Sequence, residues 1–133
     1  MQGNRPGRAR RRAHSRVLLV GLTPLLMEVL SGPLSGMAEV SAVPFPGDAF
    51  EQAVEDVQAE LVLVDITYLD EALVRPLMLQ RFAGSPVVLA FVSESGDAWF
   101  DDMNSKVSGR LTHVDAGRLM ALIGRPNLTL VES

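Results

Sequence analysis

The sequence predicts an α/β domain built on a doubly wound, five-stranded parallel sheet with helices on both faces. Three observations predict it. Continuous apolar runs, rich in branched side chains, read as strands buried on both faces: "RVLLV" at 16–20, "LVLVDI" at 61–66 and "PVVLAFV" at 86–92. The segments between them carry apolar residues at helical spacing. Strand and helix alternate five times, the order of a parallel sheet covered on both sides by right-handed connections.

The first strand, 16–20, leads into "PLLMEVLSGPL" at 24–34. Pro24 is favourable at a first helical position, Leu26, Val29 and Leu30 recur at helical spacing, and Gly32-Pro33 reads as a stop. "EVSAV" at 39–43 is less apolar and reads as a strand nearer an edge. The clearest helix is "GDAFEQAVEDVQAE" at 47–60. Asp48 and Glu51 have capping-box spacing, and Phe50, Ala53, Val54 and Val57 form one apolar face. After the strand ending near Asp65, "DEALVRPLMLQRFAG" at 70–84 is helical in composition. Pro76 either starts or kinks that helix.

The strand at 86–92 is followed by "SGDAWFDDMNSKVSG" at 95–109. Asp97 reads as a cap, and Trp99, Met103 and Val107 fall at helical spacing, so a fourth helix is expected. "RLTHV" at 110–114 reads as the fifth strand. "DAGRLMALIG" at 115–124 reads as the last helix, capped by Asp115 and ended by Gly124. "NLTLVES" remains, as an added edge strand or a tail. The organisation is thus a tail at 1–15, a domain at 16–124 and a C-terminal segment at 125–133.

Composition narrows the function. Of 133 residues, 47% are hydrophobic, enough for one globular core. There is no cysteine, which excludes disulfides and thiolate zinc sites. His14 and His113 lie too far apart to suggest a metal-ligand pair. The net charge of −4 divides unevenly: residues 1–16 hold six arginines and no acid, and the remainder holds all 16 acids. Such a tail suits nucleic acid or an anionic surface, or it rests on the acidic domain itself. Arginines followed by "VLLVGLTPLLM" also have the look of a signal peptide, but Glu28 follows closely and Gly21 and Pro24 interrupt the run. It is too short to span a membrane.

In doubly wound sheets, ligands bind beyond the carboxyl ends of the strands. Those ends are expected at Gly21-Leu22, Val43-Pro44, Asp65-Ile66, Ser93-Glu94 and His113-Val114. None carries a glycine-rich phosphate cradle.

"VLLVGLTPLLMEVL", "AELVLVDI", "SPVVLAFV" and "GRLTHV", in this order, resemble the receiver domain of bacterial two-component response regulators, over about residues 16–124. The resemblance implies a five-stranded flavodoxin-like fold with a phosphoacceptor aspartate at Asp65. Most of the family's chemistry is missing. The two acids that help hold magnesium are replaced by Gly21 and Leu22. The hydroxyl residue ending strand four aligns with Phe91, or with Ser93 after a small shift. The lysine after strand five aligns with His113, the following proline with Val114, and the aromatic switch residue with Arg110. Leu22 has no oxygen ligand in its side chain for a hard cation.

The sequence therefore points to a degenerate receiver: a bacterial, cytoplasmic, phosphorylation-independent interaction module, with no catalytic residue, metal or cofactor. Asp65 is expected to cap the next loop or simply to face water. His113 is expected to be an ordinary loop histidine, with proton sensing as the alternative reading. Trp99 is either core or an interface anchor. Receivers signal through the face of helix four, strand five and helix five. The corresponding residues are Trp99, Met103, Lys106, Arg110 and Arg118, and a homodimer through them is plausible. The alternatives are an atypical phosphoacceptor switch using Asp65, or nucleic-acid binding through the tail.

Overall fold

The structure, a computed structural model, describes residues 15–44 and 49–124. Among these residues six strands form one sheet: β1 (Ser15–Val20), β2 (Ala38–Val43), β3 (Leu61–Asp65), β4 (Val88–Val92), β5 (Ala98–Asp102) and β6 (Val107–Leu111). Their order in space is β2-β1-β3-β4-β5-β6. β1 pairs in parallel with β2 and β3, and β3 in parallel with β4. β5 is antiparallel to both β4 and β6. The sheet is therefore mixed. The expected five-stranded, all-parallel, flavodoxin-like sheet is not formed.

The difference arises in residues 95–109. The expected fourth helix is a β-hairpin, β5–β6. Trp99, Met103 and Val107 do recur at helical spacing, but strand chemistry prevails. "AWFDD" alternates: Ala98 is buried against one face of the sheet, while Trp99 packs with the cluster on the other. The Asp102 side chain accepts hydrogen bonds from the Asn104 and Ser105 amides and so closes the turn. Lys106 completes the turn at φ 63°. Across the hairpin, the Phe100 ring lies over Gly109, where a β-carbon would sit only 2.8 Å from it. The strand expected at 110–114 is displaced in turn, because β6 begins at Val107 and ends at Leu111.

Among the described residues four helical segments cover the sheet. α1 follows β1 as three contiguous stretches, Pro24–Leu26, a π-helical Met27–Ser31 and Gly32–Ser35. Gly32-Pro33 does not stop it. The widened π turn precedes Pro33, whose ring would clash with a regular α-helical turn. α2 is Ala49–Val57, α3 is Glu71–Arg81 and α4 is Ala116–Gly124. α3 starts before Pro76 and runs through it; Asp70 caps it by accepting from the Ala72 amide at 3.0 Å. Pro76 cannot donate to the Ala72 carbonyl, and it lies on the exposed side, where that loss costs least.

Two apolar layers sandwich the sheet. On one face Val17, Leu19, Leu61, Leu63 and Ala90 meet Leu26, Leu30 and Leu34 of α1 and Ala116 and Leu119 of α4. On the other, Leu18, Val20, Val62, Val64, Leu89 and Phe91 meet Val54 of α2 and Met78 and Phe82 around α3. β1, β3 and β4 are buried on both sides because their residues are apolar on both. The run that has the look of a signal peptide is thus β1, paired with two neighbours, together with the start of α1. Among the described residues no helix is long and apolar enough to cross a membrane. The arginine-rich tail up to His14, the capping box involving Asp48 and the segment 125–133 lie outside the described residues.

Candidate functional site

The carboxyl ends of β1, β3 and β4 meet at Asp65, which is 6% exposed. One carboxylate oxygen accepts the Thr23 amide at 2.7 Å, and the other accepts the Thr67 amide at 2.8 Å. The second bond is an Asx turn, the local loop cap an aspartate makes two residues on. The first reaches across 42 residues to the start of α1. There Thr23 caps the helix, its hydroxyl accepting from the Leu26 amide at 3.4 Å. The Thr67 hydroxyl accepts from the Glu94 amide at 3.0 Å, tying in the β4–β5 loop. The Val114 amide donates to the Gly96 carbonyl at 2.9 Å and adds the loop after β6. Asp65 is thus the keystone of hydrogen bonds that join loops at this end of the sheet.

Gly21 turns the chain at φ 62°, a left-handed conformation that glycine adopts without strain. Its amide donates to the Val43 carbonyl at 2.9 Å, extending the β1–β2 pairing. Leu22 packs against the apolar layer shared by α1 and α4. These positions do not suit magnesium. Neither side chain offers an oxygen ligand for a hard cation. Among the described residues no group of three or more His, Asp or Glu side chains could hold a metal ion.

Phe91 pairs with Val64 within the sheet and is fully buried in the layer beneath α2 and α3. It is a core residue and does not reach the loops. Ser93, past the end of β4, has its hydroxyl 2.6 Å from that of Ser95. His113 is exposed, at φ 54°, in the loop after β6. The interposed strand β5 separates β6 from β4. β6 therefore lies three strand spacings from β3, ~14 Å. Leu25, Leu26, Val29, Val92, Ser93 and Val114 line a small, mostly apolar hollow.

Of the residues expected to form one partner-binding face, Trp99, Met103, Lys106 and Arg110 belong to the β5–β6 hairpin, and Arg118 does not. Trp99 and Arg110 are cross-strand partners, with the guanidinium 5.1 Å from the ring centroid. Arg75 of α3 lies 4.9 Å from the same ring. Arg75 grips Asp101 through two bonds, at 2.9 and 3.2 Å, and reaches Glu71 at 3.4 Å. Hydrogen bonding to Asp101 is the main cause that raises the Arg75 pKa above its ordinary value; burial opposes it. Trp99 thus helps anchor α3 to the hairpin. Met103 and Lys106 border a shallow hollow by the hairpin turn. Arg118 lies apart, on α4, which packs against the opposite face of the sheet.

Four contributors went unnoticed in the sequence. Thr23 before Pro24 has the pattern of a helix cap and was legible. Thr67, two residues after Asp65, fits an Asx turn. Arg75 and Asp101 meet across 26 residues, which no local pattern signals. No protein-family model and no curated protein sequence matches the chain.

Proposed function

We propose that this chain is a cytoplasmic, phosphorylation-independent protein-interaction module with no catalytic chemistry of its own. One observation carries the reading: both oxygens of Asp65 are bound to the Thr23 and Thr67 amides, which makes its carboxylate a fastening between loops. Phosphoryl transfer needs an in-line nucleophile and positive groups around the equatorial oxygens. Each Asp65 oxygen accepts an amide hydrogen bond, and among the described residues no group of carboxylates or histidines could hold a metal ion beside it. A surface role draws support from Leu73 and Leu77, large apolar side chains that α3 exposes.

The test is incubation with acetyl phosphate and magnesium, followed by intact mass. The expected result is an unmodified chain. A phosphoryl adduct that disappears in Asp65→Asn would establish the aspartyl-phosphate switch and refute the proposal. Nucleic-acid binding is a second reading, favoured by the six arginines in residues 1–16. A salt-dependent gel shift, abolished by deleting residues 1–15, would support it.

A further inference from the structure

We draw no further inference here: the strongest candidate, the exposed apolar patch that Leu73 and Leu77 make on the outer side of α3, carries none because nothing in the structure shows what covers it.

Discussion

Replacing Asp65 separates a carboxylate that fastens loops from one held ready for chemistry. In Asp65→Ala, the Thr23 and Thr67 amides both lose a charged acceptor. A hydrogen bond to a charged group contributes about 1.5–3 kcal/mol. Thr23 and Thr67 are only half-buried, so water recovers part of that loss. The net cost should be about 2–4 kcal/mol, a large share of a typical 5–15 kcal/mol stability. Asp65→Asn keeps one carbonyl oxygen but turns an N–H donor toward a second N–H. It should cost about 1–2 kcal/mol, the equivalent of one bond. The assay is urea unfolding followed by circular dichroism, with the slope shared among variants so that midpoints report stability. Midpoints should fall in the order wild type, Asn, Ala, with or without magnesium. A receiver-like carboxylate crowded by other acids would behave oppositely, since removing its charge relieves repulsion. An Asp65→Asn variant as stable as wild type, or more so, would refute the argument.

Other perturbations give equally direct expectations. Gly21→Asp with Leu22→Asp should destabilise by about 2–4 kcal/mol in the absence of magnesium, combining left-handed strain, lost apolar packing and a carboxylate near Asp65; a neutral urea midpoint would contradict this. Arg75→Ala leaves the nearly buried Asp101 carboxylate without its two-bond partner and strips a cation from the Trp99 ring. It should cost about 2–4 kcal/mol and shift the emission of Trp99, the sole tryptophan. Gly109→Ala drives a β-carbon to 2.8 Å from the Phe100 ring and should cost about 1–2 kcal/mol, read as a lower midpoint.

The legible part of the fold was the part written in apolar runs. "RVLLV", "LVLVDI" and "PVVLAFV" are buried on both sides of the sheet and became β1, β3 and β4. The hairpin stands where the spacing predicts a helix because two periodicities overlap in it. Trp99, Met103 and Val107 satisfy a helix, while Ala98 to Asp102 also alternate between two faces. What tips the balance is tertiary: Trp99 and Asp101 face α3 and meet Arg75, and Phe100 needs the bare Gly109 opposite it. Gly32-Pro33 reads as a stop because a π turn, which accommodates the proline, has no sequence signature. At the candidate site, the loss of acids at Gly21 and Leu22 could be read directly. The bond from Thr23 to Asp65 could not, since it joins positions 42 residues apart.

The most direct measurement is a magnesium titration of the Thr23 and Thr67 amide resonances in a 15N-labelled chain. If Asp65 is a fastening, both amides stay hydrogen-bonded and neither resonance moves on adding millimolar magnesium and acetyl phosphate. Saturable shifts at both positions, lost in Asp65→Asn, would show that the carboxylate exchanges its amide partners for a metal, and would contradict the account.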